Sequence, residues 1–292
     1  MLRANILQFS VLALIGLVLC TSVGCAAGVD PMSTAVPVAP TPLVGRLTFA
    51  GSTTMQPLVE KLAERYRQYY PDMELEVAAG GSVVGINAIQ EGSADIGMSS
   101  RELQPDELQP GIERFPVAID VLAVIVHPSN PVRALTQEQL YNIYTGRIVN
   151  WREVGGADLP ILPVIREVSS GTRGAFDDIA LDGATPVPTA DVQVTAGEVQ
   201  SRVANRPDAI GYVGFGNISA DVTVLEIDGA QPTPQTALAG TYRLQRPLIL
   251  LISPLSRRAS LSFIEFALSE EGQRVVQEDG WTPVNPPSVA ID

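Results

Sequence analysis

Three short turns of small, hydroxyl-bearing residues carry the chemistry open to this chain. They are Gly51-Ser52-Thr53-Thr54, Gly80-Gly81-Ser82 and Ser169-Ser170-Gly171-Thr172, and Arg166 stands just before the last of them. Each leads into a segment with helical spacing. A helix start leaves backbone N–H groups without intrahelical partners and carries about half a positive charge, so it attracts anions. Serine and threonine there either cap the helix or donate their hydroxyls to a bound oxyanion. An arginine adds a planar fork suited to phosphate-like oxygens. Taken singly, each turn is equally a plain helix cap, and Arg166 or Arg173 a salt-bridge partner. Taken jointly, they point to a pocket for a small tetrahedral oxyanion.

Other chemistries find less support. A nucleophile elbow needs Gly-x-Ser-x-Gly, and neither Ser82 nor Ser170 sits in one. The single histidine, His127, follows a long apolar run and precedes Pro128, so a serine hydrolase would hang on that residue alone. A zinc site would need carboxylates almost throughout, since both cysteines, Cys20 and Cys25, lie near the N-terminus; no metal and no cofactor is expected. Neither a phosphate loop with Gly-Lys-Ser/Thr nor a Gly-x-Gly-x-x-Gly fingerprint is present, which leaves nucleotide binding unsupported. A formal net charge of −13 argues against nucleic acid as a partner. It leaves room for a small anion held by local dipoles.

The elements that must position the turns alternate. Arg46 to Ala50, Leu75 to Val77 and Ala94 to Met98 read as strands. Between them, Leu58, Val59, Leu62, Ala63 and Tyr66 recur at helical spacing, and Val83 to Glu91 forms a second helical run. This β-α-β-α-β order predicts a mainly parallel sheet flanked by helices, with ligands at the carboxyl ends of its strands. Val117 to Val126 is a long apolar strand. A second α/β section follows: a helix over Leu135 to Tyr144 with Thr136 as cap, a strand over Leu159 to Ile165, and helices over Gly174 to Ala180 and Val194 to Ala204. Ile210 to Val213 and Tyr242 to Ile252 read as extended, and Ser260 to Leu268 and Ser269 to Gln277 as helices.

The N-terminus reads as an export signal, with basic Arg3 ahead of an apolar run from Val11 to Leu19 too short to span a bilayer comfortably. Ser22-Val23-Gly24-Cys25 has the form of a bacterial lipobox, with Cys25 as the lipidated residue and Ser22 where leucine is usual. Residues 1–25 are therefore a lipoprotein signal peptide. Residues 26–44, punctuated by Pro31, Pro37, Pro40 and Pro42, form an extended tether.

From about Leu47 to about Pro286 the sequence resembles the phosphate-binding proteins of the bacterial high-affinity phosphate ABC transporter. The stretches that carry the likeness include AGSTTMQPLVEKLAERY, GGSVVGINAI, ADIGMSSREL, SSGTRGAF and AIGYVGFGNI, and above all NPVRALTQEQLYNIYTGRIVNWREVGG. The resemblance implies a two-lobed periplasmic-binding-protein fold of the second type, each lobe a mainly parallel sheet flanked by helices and the ligand in the cleft between them. Residues 45–122 and 247–292 would make lobe 1 and residues 123–246 lobe 2, with crossings near Ala118 to Val124 and Arg243 to Leu250.

Carried over position by position, the resemblance implies that Thr53, Thr54, Ser82 and Ser100 bind phosphate from one side, and Arg166, Ser170, Gly171 and Thr172 from the other. Two residues depart from the family pattern. Ser100 stands where well-known members place an aspartate that accepts a proton from phosphate, and Val168 where an acidic residue often follows the arginine. A carboxylate rewards protonated phosphate and repels sulfate, whereas a hydroxyl does not repel. Phosphate is thus expected to be preferred by a smaller margin than in members with the aspartate. The implied protein is not an enzyme. It would be a monomeric lipoprotein at the extracytoplasmic face of the membrane that hands phosphate to permease subunits. A receptor for another oxyanion such as sulfate is the alternative.

Overall fold

The computed structural model describes residues 43–254 and 258–285, and Pro42–Asp292 forms one compact unit. The signal segment with Cys25, and the tether up to residue 42, lie outside the described residues. Among the described residues no helix is long and apolar enough to cross a membrane.

The chain opens with β1 (Gly45–Gly51), α1 (Gln56–Arg67), β2 (Met73–Ala79), α2 (Ser82–Glu91) and β3 (Ile96–Ser99), followed by the long β4 (Glu113–Val126). The middle contains β5 (Ala134–Leu135), α3 (Gln137–Tyr144), β6 (Leu162–Arg166), α4 (Gly171–Ala180), β7 (Asp191–Gln193), α5 (Ala196–Ala204) and β8 (Ala209–Gly214). Short β9 (Thr223–Val224), β10 (Glu226–Ile227) and α6 (Pro234–Leu238) lead into β11 (Gln245–Ile252), and α7 (Arg258–Leu268), α8 (Glu270–Glu278) and β12 (Thr282–Pro283) close the chain.

The apolar residues that predict α1 are the ones it buries: Leu58, Val59, Leu62, Ala63 and Tyr66. A proline in its first turn and Arg65 and Arg67 in its last suit the helix ends. α2 starts after Gly81 at φ 97° and stops at Gly92 at φ 69°, backbone that side-chain-bearing residues rarely adopt. Capping residues correct several expected boundaries. Ser170 accepts the Arg173 N–H and starts α4 at Gly171, three residues ahead of the predicted Gly174. Thr195 forms a capping box with Glu198, so α5 begins at Ala196 and Val194 lies in the bend before it. Thr136 caps α3 as expected, while Leu135 pairs in β5.

The main sheet runs β2-β1-β3-β11-β4-β8-β6-β7. β1 pairs in parallel with β2 and β3, and β6 with β7 and β8. The centre is antiparallel, because β11 returns against β3 and β4, and β4 runs against β8. β4 serves both halves: Glu113 to Val121 pairs with β11, and Leu122 to Val126 with β8. Two main hydrophobic clusters form. One gathers Leu47, Phe49, Leu58, Val117, Leu248, Phe263 and Trp281, and the other Val121, Val124, Tyr144, Trp151, Phe176, Tyr212 and Tyr242. Each fully buried side chain of this size contributes about 1.5–3 kcal/mol. The result is a two-lobed α/β fold whose lobes share β4 and β11.

Candidate anion-binding site

The three hydroxyl turns lie at carboxyl ends of strands, as the β-α-β order requires. Thr53 and Thr54 follow β1, Ser82 opens α2 after β2, Ser100 follows β3, and Arg166 ends β6 ahead of the Ser170-Gly171-Thr172 start of α4. Thr54, Ser82, Ser100, Arg166, Ser170 and Thr172 are all buried, and Thr53 is half-buried. Neither α1 nor α2 uses a side-chain cap, so the hydroxyls of Thr53, Thr54 and Ser82 are not spent on capping. Ser170 does cap α4.

The fold brings every predicted binding residue among the described residues into one connected group. Thr54 Oγ1 lies 2.9 Å from Thr172 Oγ1, and Arg166 Nη2 donates to Thr53 Oγ1 at 3.1 Å and to the Val194 carbonyl at 2.6 Å. The Ser100 N–H donates to Ser82 Oγ at 3.0 Å, and the two hydroxyls are 3.3 Å apart. The two turns also meet through the backbone, where Val83 N–H donates to the Ser169 carbonyl at 3.1 Å. Gly171 is the tightest point: a Cβ there would press on Ser82 Oγ and stand 2.8 Å from Ser100 Oγ.

Electrostatics give the group a buried positive charge. Burial pulls the Arg166 guanidinium down to about 10; neighbouring Arg246 pushes the same way, while Tyr212, Glu167 and Glu198 oppose. Arg166 Nε is buried without a hydrogen-bond partner, a donor that an oxyanion's oxygen would satisfy. Arg173 is committed elsewhere, to Asp177 and to the Arg166 carbonyl. Arg101 is also buried; it forms a two-point contact with Glu107 and packs its side chain on Gly174.

Sequence reasoning missed Arg246. It is buried on β11 directly opposite Asp120 of β4, and its Nε and Nη2 donate to Asp120 Oδ2 at 2.9 and 2.8 Å. Its fork also reaches Ser100 Oγ at 3.3 Å and Thr54 Oγ1 at 3.4 Å. Burial raises the Asp120 carboxyl and lowers the Arg246 guanidinium, and their direct contact opposes both shifts. The signal was present: Asp120 is the one charged residue in the apolar run Val117 to Val126, and a buried charge needs a partner.

His127 joins no catalytic group. Its Nδ1 lies 2.7 Å from Ser129 Oγ and accepts the Ser129 N–H at 3.1 Å, closing a turn after β4. Among the described residues no cluster of histidine, cysteine or carboxylate side chains could hold a metal ion.

Hydroxyl, N–H and guanidinium donors gathered at the strand ends of an α/β fold are the arrangement a solute-binding receptor requires. The family described as the PBP superfamily domain matches residues 36–271. The phosphate-binding protein PstS of Bacillus subtilis is 34% identical over 255 residues, covering 85% of this chain and 84% of that protein. PstS of Borreliella burgdorferi is 30% identical over 247 residues, covering 80% and 88%. A substrate-binding protein from Clostridium perfringens, crystallised with bound phosphate, superposes with a TM-score of 0.80 at 36% identity over 82% of this chain and all of its own. An ABC-type phosphate transport receptor from Vibrio cholerae gives 0.69 at 35% identity, covering 81% and 99%. The chain belongs to the PstS family of phosphate-binding proteins within the PBP superfamily. It is a binding protein rather than an enzyme, and the serine-hydrolase alternative falls with that assignment.

Proposed function

We propose that this protein captures inorganic phosphate outside the cytoplasm and delivers it to the permease of an ABC transporter. The observation that carries the reading is the convergence of Thr53, Thr54, Ser82 and Ser100 on Arg166, Ser170, Gly171 and Thr172, with the Arg166 Nε donor buried and unused. These residues would hold the anion. Lobe 1 comprises residues 45–122 and 247–292, and lobe 2 residues 123–246. The separate hydrophobic clusters support that division: members of the first stop at Ala118 and resume at Leu248, and members of the second run from Val121 to Leu244.

The anion finds its full set of donors only when the lobes meet, so it shifts a hinge equilibrium towards the joined form that the permease takes up. Lipidation at Cys25 and the tether hold the monomer at the extracytoplasmic membrane face and raise its effective concentration beside the permease. A second reading, a receptor for sulfate or another tetrahedral oxyanion, draws on Ser100, which offers no carboxylate to repel a fully ionised ligand.

Calorimetric titration with phosphate and then sulfate, after removal of bound ligand, tests the ligand. One-to-one phosphate binding with a rise in Tm that grows with phosphate concentration is the expected result. Silence towards phosphate would overturn the assignment. Replacing Cys25 with alanine should release the protein from the membrane fraction.

A further inference from the structure

We propose that Arg246, aimed by Asp120, makes this a donor-rich site that selects tetrahedral oxyanions by charge state, taking doubly charged phosphate over the singly charged form. This rests on the phosphate reading and names the ionic form the site accepts.

The argument is donor bookkeeping. A guanidinium has five N–H donors and no acceptor. Ser100 Oγ, 3.3 Å from Arg246 Nη1, and Thr54 Oγ1, 3.4 Å from Nη2, therefore accept from Arg246, and each also pairs with a second hydroxyl, Ser82 Oγ at 3.3 Å and Thr172 Oγ1 at 2.9 Å. The same holds around the rest of the site. Ser82 Oγ accepts the Ser100 N–H at 3.0 Å, Thr53 Oγ1 accepts from Arg166 at 3.1 Å, and Ser170 Oγ accepts the Arg173 N–H at 3.3 Å. Each of these five hydroxyls spends acceptor capacity on an N–H, which leaves the site richer in donors than in acceptors.

Carboxylates on the neighbouring elements do not counter this. Asp120 Oδ2 is taken twice by Arg246 and its Oδ1 accepts the Phe215 N–H at 3.0 Å. Glu167 accepts from Ser169, Asp177 from Arg173, Glu198 from the N–H groups of Val194 and Thr195, and Glu107 from Arg101. Arg166, held by the Val194 carbonyl and the Thr53 hydroxyl, adds positive charge that an anion relieves, while the charge of Arg246 is already met by Asp120. A doubly charged phosphate still carries one O–H, and the second lone pair of a hydroxyl oxygen takes one. A singly charged phosphate carries two, so a second of its oxygens must donate where N–H groups already occupy one lone pair of each of these five hydroxyls. Sulfate carries none.

Asp120 is the positioning residue in this scheme. Its two hydrogen bonds fix the Arg246 fork in the orientation that reaches Ser100 and Thr54. Gly214 makes room for it, since a Cβ at that position would stand 2.9 Å from Asp120 Oδ1.

The test is titration of the full-length protein in mild detergent with phosphate and with sulfate, at about pH 6, 7 and 8. Phosphate becomes mainly doubly charged across that interval, so its apparent affinity should rise on the order of tenfold as the competent fraction grows. Sulfate does not titrate there and controls for titration of the protein; its affinity should stay level and within about tenfold of phosphate at the upper pH. Phosphate binding that is flat with pH, or sulfate weaker by about a thousandfold, overturns the proposal and leaves the phosphate receptor standing. No phosphate binding at any pH overturns the receptor reading itself. Ser100→Asp supplies an acceptor beside Arg246 and should cut sulfate affinity about a hundredfold while flattening the phosphate pH profile. Arg246→Lys keeps the charge but frees Ser100 and Thr54 to accept, and should move the phosphate-to-sulfate ratio the same way. A melting curve establishes that each variant is folded, and a selectivity ratio unchanged in both folded variants counts against the role of Arg246.

Discussion

Arg166 and Arg246 are both buried arginines beside the same hydroxyls, yet the protein treats them oppositely. Arg166 is held by neutral partners, the Val194 carbonyl and the Thr53 hydroxyl, and keeps one donor unused. Arg246 is neutralised across the sheet by Asp120. A charge buried among neutral dipoles is costly until an anion arrives, so on the proposed function Arg166 is the residue that ligand would complete. A charge buried with its own carboxylate is complete already and acts by orienting what surrounds it. The difference separates residues that bind from residues that position, and each half of it can be broken.

The largest effect belongs to Arg166→Ala. Charge-assisted hydrogen bonds are worth about 1.5–3 kcal/mol each, so losing two or more should weaken phosphate binding by at least about a hundredfold. The ligand-free protein should melt within a few degrees of the parent, because the substitution removes a cation that burial already disfavours. Calorimetry and thermal denaturation read both effects. A large fall in ligand-free stability would mean that Arg166 is a structural residue.

Asp120→Ala should do the reverse. It strands Arg246 in the interior without its counter-ion, for which the expected cost is about 3–5 kcal/mol of unfolding free energy, visible in urea denaturation without any ligand. If stability changes by less than about 1 kcal/mol, the Asp120–Arg246 pair is not the fixed element that the geometry describes.

The same contrast explains what the sequence revealed. Arg166 is locally legible, because it stands beside a Ser-Ser-Gly-Thr turn after a strand, and the turn chemistry and the family resemblance converge on it. Arg246 lies in Gln245-Arg246-Pro247-Leu248, where nothing nearby suggests a ligand, and its partner is 126 positions away. Only the antiparallel register of β4 and β11 places them together, and register across a long connection is a property of the folded sheet. The β-α-β-α-β opening was equally legible, since its helices and strands announce themselves by spacing. The central antiparallel pairing was not, because an apolar run shows that a strand is buried but not which way its neighbours run.

Gly171→Ala gives the next largest effect and tests how the two sides meet. Gly171 sits in the first turn of α4 without a positive φ, so alanine suits the helix and should leave the ligand-free stability unchanged or slightly higher. Its Cβ, however, would press against Ser82 and Ser100 from the opposite lobe. Binding should weaken by about a hundredfold as the lobes are held apart. Scattering from solution should then report a more open shape in the presence of phosphate than the parent shows. Unchanged affinity would mean that the turn gives way and that the close approach of Gly171 to Ser82 is not what completes the site.

Ser170→Ala is the smallest change and asks whether one hydroxyl serves both purposes. Ser170 Oγ accepts the Arg173 N–H at 3.3 Å and so caps α4, while its proton stays free to donate. Loss of a serine cap costs about 1 kcal/mol of stability, and loss of one donor to an anion costs about tenfold in affinity. Ser170→Gly separates the two, because glycine at a cap position costs only a few tenths of a kcal/mol yet removes the donor just as completely. Equal losses of affinity in both variants, with unequal losses of stability, would place the Ser170 hydroxyl on the ligand. If affinity instead follows stability from one variant to the other, Ser170 acts only by starting α4. It would then stand with Asp120 among the residues that position rather than with Arg166 among those that bind.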